Sequence, residues 1–215
     1  MEALRTEDLT FTYPNTSSPA VSNVSVSIRQ GEFFLLFGRS GCGKTTLLRM
    51  LKPELSPVGE RAGRVFLCEK NAETLPQRES CSMIGFVGQC PEEQIVTDKV
   101  WHELAFGLES MGVPQQRMTR RIAEMAGYFG IEDKFDKNIS ELSGGQKQLI
   151  SLASVMVTEP ELLILDEPMH GLDLQRLQLV KNTIDDYCQD PGKTLIMVTH
   201  YEEELPQCID HRLYL

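Results

Sequence analysis

The stretch FFLLFGRSGCGKTTLLRML, residues 33–51, decides the fold of this chain. Phe33–Phe37 is an unbroken run of apolar residues, which predicts a strand buried on both faces. Leu47–Leu51 then carries leucines at helical spacing. Between the strand and the helix, residues 38–45 match the pattern G-x-x-x-x-G-K-[ST], a P-loop, in which backbone N–H groups turn towards the phosphates of a nucleotide.

The P-loop pattern assigns roles to individual residues. Lys44 would reach the β- and γ-phosphates, and the Thr45 hydroxyl would lie on Mg²⁺. A glycine-rich turn with an incidental lysine is the alternative, and the strand and helix on either side argue against it. The residues predicted to contact the nucleotide are Gly38, Arg39, Ser40, Gly41, Cys42, Gly43, Lys44, Thr45 and Thr46.

Buried strands and helices alternate along the rest of the chain. Ile84–Val87, Leu162–Leu165 and Leu195–Val198 are further short apolar strands, and Leu174–Ile184 has an apolar stripe at helical spacing. This alternation predicts an α/β fold, a P-loop NTPase core with a mostly parallel sheet.

Two segments depart from the alternation. Val24–Ile28 alternates apolar residues with serines, the pattern of a half-buried strand. Residues 91–140 contain two helical patterns separated by Gly112 and Pro114, which we interpret as an inserted helical subdomain. The prediction is a single domain, 1–215, in which 1–90 and 141–215 form the nucleotide-binding core and 91–140 the helical subdomain.

The composition is that of an ordinary globular protein. Hydrophobic residues make up 41% and charged residues 24% of the 215 residues, which excludes disordered and fibrous classes. The net charge of −10 would repel phosphates, so no nucleic-acid partner is expected. No apolar run approaches the roughly 20 residues of a membrane helix, and the N-terminus lacks the layout of a signal peptide. Six scattered cysteines without a Cys-x-x-Cys pair indicate reduced thiols in a cytosolic protein.

Two carboxylates end one of the buried strands. Asp166 and Glu167 follow Leu162–Leu165 directly. In a P-loop protein the first such carboxylate holds Mg²⁺ and the second polarises an attacking water. A solvated acidic turn is the alternative interpretation.

A short glycine motif precedes another helix. Leu142 is followed by Ser143, Gly144, Gly145 and Gln146, which would open a helix with exposed backbone donors and form a second phosphate site. Plain N-capping by Ser143 is the alternative when the motif is taken by itself.

In this order along the chain, the P-loop, the Ser-Gly-Gly-Gln motif and the acidic strand end resemble the nucleotide-binding domain of ABC (ATP-binding cassette) ATPases. The resemblance covers essentially the whole chain and implies an added antiparallel β subdomain at the N-terminus. It implies that the domain binds ATP and Mg²⁺, pairs head to tail with a second ABC ATPase domain, as a homo- or heterodimer, and hydrolyses ATP across the shared interface. The residues that would contact the partner's ATP are Ser143, Gly144, Gly145, Gln146 and Asp173.

The resemblance implies roles for three further residues. Tyr13 matches the aromatic residue that stacks on adenine, and a core tyrosine at a strand end is the alternative. Gln89 matches the Q-loop glutamine, which touches Mg²⁺ and water and links to the transporter subunit. His200 matches the switch histidine that contacts the γ-phosphate, with a satisfied core histidine as the alternative. The expected catalytic residues are therefore Glu167, His200 and Gln89, and the expected metal ligands are Thr45, Gln89 and Asp166.

Residues 89–97 and 100–109 look like the energy-coupling factor (ECF) ATPases, the class that energises uptake of vitamins and of cobalt or nickel. This resemblance implies a peripheral subunit at the cytoplasmic face of the membrane that works with separate transmembrane subunits. A helix from such a subunit would enter a groove beside the helical subdomain, with Ile95 or Val96 exposed at its edge. Packing of these two side chains into the subdomain is the alternative.

Some positions depart from the family pattern. Gly88 and Cys90 replace the usual aromatic residue and asparagine around Gln89, which leaves the stiffness of that loop open. Met169 and His170 stand where smaller residues are common. The two rival functions are a soluble ABC ATPase acting on nucleic acid or ribosomes and a non-hydrolysing regulatory cassette. The chain would be a trimmed form, half of a fused double cassette or a short natural form, and the transported substrate is not encoded in it.

Overall fold

Strands and helices alternate through most of the chain, as the sequence predicts. The structure is a computed structural model that describes residues 1–200 and 209–215, so Cys208 lies outside the described residues. The strands are β1 Glu2–Thr12, β2 Val21–Val24, β3 Ser27–Arg29, β4 Phe33–Phe37, β5 Glu60–Leu67, β6 Lys70–Asn71, β7 Ile84–Val87, β8 Leu162–Asp166, β9 Thr194–Val198 and β10 His211–Tyr214. The α-helices are α1 Lys44–Leu51, α2 Gln77–Met83, α3 Val100–Ser110, α4 Gln115–Phe129, α5 Gly144–Met156 and α6 Leu174–Cys188.

A parallel sheet forms the centre of the molecule. Its strands lie in the order β10–β4–β9–β8–β7, and every neighbouring pair is parallel. All residues of β4, β7, β8 and β9 are buried. These strands are apolar throughout because layers of structure cover both faces of the sheet.

The side chains of the parallel sheet divide between two hydrophobic clusters, because successive residues of a strand point to opposite faces. In β4, Phe33, Leu35 and Phe37 join the cluster formed with α3, α4, α5 and α6. Phe34 and Leu36 join the other cluster, formed with α1 and the strands of the N-terminal sheet. The sheet therefore stabilises the packing on both of its sides.

The N-terminal sheet is antiparallel, in the order β2–β1–β5–β6, with β3 also paired to β1. The sequence predicts one strand over Val24–Ile28, whereas the structure has β2 and β3 separated by Ser25 and Val26. The Thr6 side chain explains the interruption. Its hydroxyl donates to the Val24 carbonyl and accepts from the Val26 N–H, both at 3.0 Å, while the Thr6 N–H still donates to the Val26 carbonyl at 2.8 Å. The side chain therefore takes over part of the backbone pairing at Ser25 and Val26.

Residues 91–140 form α3, α4 and short 3₁₀ turns at Pro91–Glu93, Glu132–Lys134 and Ile139–Glu141. Val100, Leu104 and Leu108 on α3 share one hydrophobic cluster with the parallel sheet and α5. The helical segment thus packs directly on the core, and its division from the core at residues 90 and 140 stays a prediction. Among the described helices, none combines the length and the apolar character needed to span a bilayer.

The turn between β4 and α1 requires glycine. Gly43 has φ of 98°, in the left-handed region, and a Cβ built there would lie 2.0 Å from the Ala20 carbonyl oxygen. Gly130 at the end of α4 also has a left-handed φ, of 61°, but a Cβ there meets nothing within 4 Å. Both positions have a positive φ that favours glycine, but only at Gly43 would an added Cβ clash with a neighbouring atom.

Replacing each of the two glycines by alanine therefore tests whether the P-loop turn depends on the space beside Gly43. We expect Gly130→Ala to lower the free energy of unfolding by about 1 kcal/mol, the cost of a left-handed alanine. Gly43→Ala should lower it by about 3 kcal/mol or more, because the turn must also move away from Ala20. Urea unfolding of both variants measures the difference, and equal losses would contradict the clash.

Candidate functional site

The predicted site residues lie at the carboxyl-terminal edge of the parallel sheet. Parallel strands end at the same edge, so the segments that follow them become neighbours. The P-loop follows β4, Gln89 lies two residues after β7, Asp166 ends β8, and His200 lies two residues after β9.

Lys44 is folded into its own loop. Its Nζ donates to the carbonyl oxygens of Gly38 and Arg39, both at 2.9 Å, and the residue is 6% exposed. The Cys42 Sγ lies 3.9 Å from the same nitrogen. In the part of the chain that the structure describes, no carboxylate lies within salt-bridge distance of Lys44. A buried ammonium held by neutral partners is suited to an anionic ligand.

Asp166 is a buried carboxylate for which the cost of burial exceeds the compensation by nearby groups. It is 1% exposed, and neither carboxylate oxygen has a hydrogen-bond partner among the described residues. Burial raises the pKa of Asp166, and the nearby Thr45 side chain, Arg49 and Lys44 oppose that rise. Such a carboxylate is an appropriate ligand for a cation.

The surroundings of Asp166 offer oxygen ligands of the kind that Mg²⁺ uses. Thr45, Gln89 and Asp166, the three predicted metal ligands, line one cavity of about 360 Å³. Among residues 1–200 and 209–215, no group of three or more His, Cys, Asp or Glu side chains is placed to hold a metal. Mg²⁺ typically uses one or two protein oxygens, with water and nucleotide phosphates as the other ligands.

Glu167 is held between β8 and β9 by its neighbours. Its N–H donates to the Val198 carbonyl at 3.0 Å, and its backbone has φ of 52°, uncommon for a residue other than glycine. Its Oε1 lies 2.8 Å from His200 Nε2, and its Oε2 accepts a weak hydrogen bond from Gln89 Nε2 at 3.5 Å. The structure therefore brings together the three residues that were predicted to be catalytic.

Tyr13 lies beside the start of α1. Its hydroxyl is 2.9 Å from the Thr46 hydroxyl, and its ring packs edge-on against Phe11. The residue is 38% exposed, so one part of the ring packs against the sheet and the rest faces solvent. This position next to the P-loop leaves a ring surface available to a planar group.

The motif at residues 143–146 lies at the exposed start of α5. The Ser143 hydroxyl accepts from the Gln146 N–H at 3.3 Å, and the Gln146 side chain accepts from the Ser143 N–H at 2.9 Å, which together form a capping box. Asp173 caps α6 by accepting from the Arg176 N–H at 2.9 Å, and it also pairs with the Arg176 side chain. No hydrogen bond between described residues joins Ser143, Gln146 or Asp173 to the P-loop.

The sequence of this chain matches a known family. Residues 21–170 match the family described as ABC transporter. This chain belongs to the ABC transporter family. It is an ATP-binding domain of that family, and the predicted α/β P-loop NTPase fold is confirmed.

Relatives of this ABC domain include longer proteins. A Bacillus cereus protein, provisionally named an ABC transporter ATP-binding protein, is 40% identical over 198 residues, which cover 92% of this chain and 36% of the relative. A Bacillus subtilis protein, provisionally named the HMP/thiamine import ATP-binding protein YkoD, is 35% identical over 218 residues, which cover 100% and 40% of the two chains. The chain spans a little over a third of the length of the first curated relatives it matches.

A solved ABC structure has the same fold over nearly the whole chain. The cbiO1 protein of Clostridium perfringens, described as part of the ABC transporter complex cbiONQ, superposes with a TM-score of 0.81 and is 29% identical. The match covers 99% of this chain and 84% of that protein.

Sequence reasoning missed two polar residues near the Q-loop of this ABC domain. Glu103 is 6% exposed on α3, and its Oε2 accepts from the Val96 N–H at 3.1 Å and from the Thr97 N–H and hydroxyl at 3.0 Å. Gln94 bridges the Q-loop and α5. Glu103 could have been found from the sequence, because it is a charged residue on the apolar face of a predicted helix. No comparable pattern in the sequence marks Gln94.

The raised pKa of Asp166 predicts a stability effect with a definite sign. The folded protein binds this proton more tightly than the unfolded chain, so folding stability falls as pH rises from the ordinary value of 3.8 through the raised one. We expect nucleotide-free Asp166→Asn to be more stable than the parent at pH 7, by about 1 kcal/mol or more. Its advantage should shrink towards acid pH.

Urea unfolding in the absence of nucleotide and Mg²⁺, at several pH values, measures this effect. Asp136→Asn is the matched control, because Asp136 is exposed and its replacement should change little. A loss of stability in Asp166→Asn at pH 7 would contradict the interpretation of Asp166 as an incompletely compensated buried charge.

Proposed function

We propose that this chain binds Mg·ATP and hydrolyses it as the motor subunit of a membrane importer of the ECF type. One observation carries the proposal: Lys44, Asp166 and the Glu167–His200–Gln89 group lie at a single edge of the parallel sheet. A phosphate-binding loop, a metal-binding carboxylate and a candidate base at one edge are the components that phosphoryl transfer to water needs.

The buried charges define how the nucleotide binds. The phosphates replace the Gly38 and Arg39 carbonyls as partners of Lys44 and accept from the backbone N–H groups of the P-loop. Thr45, Gln89 and Asp166 would hold Mg²⁺, which would neutralise part of the phosphate charge. Tyr13 stacks on the adenine, and its bond to Thr46 fixes the ring beside the loop.

Glu167 is the proposed base, and its neighbours set its orientation. A carboxylate that accepts a proton from an attacking water must be aimed at that water. The His200 contact at 2.8 Å and the Gln89 contact at 3.5 Å hold the Glu167 carboxylate from two sides. In the loaded site, His200 and Gln89 contact the γ-phosphate and the water, and Glu167 accepts the proton.

A second ABC domain completes each site. Ser143–Gln146 and Asp173 have no contact with the P-loop of their own chain among the described hydrogen bonds, and the start of α5 presents free backbone donors. In a head-to-tail dimer these groups contact the ATP bound to the partner. ATP hydrolysis therefore requires two ABC domains, because each supplies part of the other's catalytic site.

The transmembrane subunits are proposed to dock at a groove beside the Q-loop. This groove of about 310 Å³ is lined by Glu92, Ile95, Thr97, Asp98, Asn138, Ile139, Ser140 and Lys147. Ile95 lines the groove and is half-buried against the cluster of the helical segment. Val96 follows it in the chain, outside the lining, and is 63% exposed. We therefore propose that Val96 contacts a partner helix beside the groove and that Ile95 mainly packs against the helical segment.

The ECF assignment rests on the resemblance of residues 89–109 and on two similar proteins. One is named for import of HMP and thiamine, and the other is part of the cbiONQ transporter complex. The first supports a vitamin as the class of cargo, and a transition metal stays open from the resemblance to the ECF class alone; another subunit would select the cargo. The chain would then work at the cytoplasmic face of the membrane, attached through its transmembrane partners.

The first test concerns Glu167. Replacement by glutamine keeps its shape and removes the base, so ATP turnover should fall by about 100-fold or more while ATP still binds. Trapped ATP should then hold two chains together in size-exclusion chromatography. Lys44→Ala is the contrasting variant, because it should lose measurable ATP affinity in calorimetry. Turnover by Glu167→Gln close to that of the parent would exclude the assigned role.

The second test separates docking from packing. Val96→Glu should keep the melting temperature of the parent and lose the transmembrane subunits that co-purify with it. Ile95→Glu should lower the free energy of unfolding by about 2 kcal/mol, because it places an unpaired charge in a packed region. Val58→Glu is the matched control, since Val58 is 86% exposed and is far along the chain from the lining residues at 92–98 and 138–147. Co-purification retained in Val96→Glu would refute docking at this groove.

A further inference from the structure

Gln94 makes the side-chain contacts that fix the Q-loop. Its Oε1 accepts from the Gly88 N–H at 2.6 Å, and its Nε2 donates to the Phe86 carbonyl at 3.0 Å. Phe86 lies in β7, the edge strand of the parallel sheet, and Gly88 is the first residue after this strand, two positions further along the chain. The amide of Gln94 therefore pairs with β7 as the peptide group of a neighbouring strand would.

The backbone places Gln94 there by reversing direction. The Glu93 N–H donates to the Cys90 carbonyl at 3.1 Å, and the N–H groups of Gln94 and Ile95 donate to the Pro91 carbonyl at 3.0 Å. This tight turn returns the chain towards β7. A Cβ at Gly88 would lie 3.5 Å from Gln94 Oε1, so the amide occupies the space beside Gly88.

The same side chain also contacts α5. The Ser151 hydroxyl, on a residue only 2% exposed, donates to Gln94 Oε1 at 3.3 Å. One residue of the turn, Glu92, pairs with Lys147 on α5 at 3.1 Å, and another, Glu93, pairs with Arg49 on α1 at 3.5 Å. The exposed ion pairs are weak, so the half-buried amide is the stronger connection.

We propose that Gln94 is a positioning residue for the ATPase reaction. By holding Gly88, it sets the direction in which Gln89 leaves β7, and so places Gln89 next to Glu167. Through Ser151 it also ties this loop to α5, the helix whose first turn faces the partner's nucleotide. The inference rests on the proposed ATPase function, and it answers the question that the unusual Gly88 and Cys90 raised: the stiffness of the loop comes from Gln94.

The test compares ATP hydrolysis by the full chain carrying two substitutions of Gln94. Gln94→Met keeps the volume and removes all three side-chain bonds. Gln94→Glu keeps the acceptor for Gly88 and Ser151, but it replaces the donor to Phe86 with a charged oxygen that repels the Phe86 carbonyl. We expect kcat to fall by about 10-fold or more in both variants and the KM for ATP to stay within about twofold, since the P-loop is untouched. Gln30→Met is the control, because Gln30 bonds Gly192 far from the site.

Thiol labelling gives a readout that is independent of turnover. Cys90 follows Gln89, and Cys81 lies on α2, and both are exposed. In Gln94→Met, Cys90 should react several-fold faster with a maleimide, as measured by peptide mass spectrometry, and Cys81 should react at the parental rate in the same sample.

Three outcomes would overturn the proposal. These are parental kcat in both Gln94 variants, a rise in KM that accompanies a lowered melting temperature, and equal acceleration at Cys90 and Cys81. The parent protein serves to separate this inference from the proposed function. If the parent itself does not hydrolyse ATP, the proposed function fails. If the parent is active and the Gln94 variants have the same activity, only the role of Gln94 is refuted.

Discussion

The hydrogen-bond register of the parallel sheet is the constraint on which the rest of this structure depends. Val87 pairs with Leu165, and Asp166 pairs with Val198, so the segments after β7, β8 and β9 start level with one another. A slip of one residue would turn every side chain to the opposite face and separate Asp166 from the P-loop cavity. Burial of both faces in two hydrophobic clusters prevents that slip. The packing of the core therefore sets the positions of the site residues.

The site is organised for its ligand at some cost in stability. Lys44 is buried with only neutral hydrogen-bond partners, Asp166 is buried without a partner among the described residues, and Glu167 has a left-handed backbone. Each feature is unfavourable in a nucleotide-free protein. The two buried charges become favourable if Mg·ATP supplies the missing opposite charges, because groups already fixed in place need no reorganisation when the ligand arrives. Such an arrangement couples the conformation of the domain to its nucleotide.

The segment after β7 connects the site to the surfaces where partners are proposed to bind. Gln94 holds its beginning against β7 and α5, and Glu103 holds its end by accepting from the Val96 and Thr97 N–H groups. Val96 therefore projects from a loop that is fixed at both ends. A rigid connection of this kind lets a small displacement at Gln89 reach the groove, where a flexible loop would absorb it.

The sequence alone determined the buried strands, the P-loop turn and the order of the motifs, because these depend on local patterns: continuous apolar runs, glycines that permit a left-handed backbone, and a helix cap. Phe33–Phe37 and Ile84–Val87 appear with their predicted bounds. The tertiary structure decided the rest. The interruption between β2 and β3 comes from Thr6, about 20 residues away, and the role of Gln94 comes from Gly88 and Ser151. A polar side chain selects such partners only after the fold has brought distant backbone groups within hydrogen-bonding distance, and no local pattern encodes that choice.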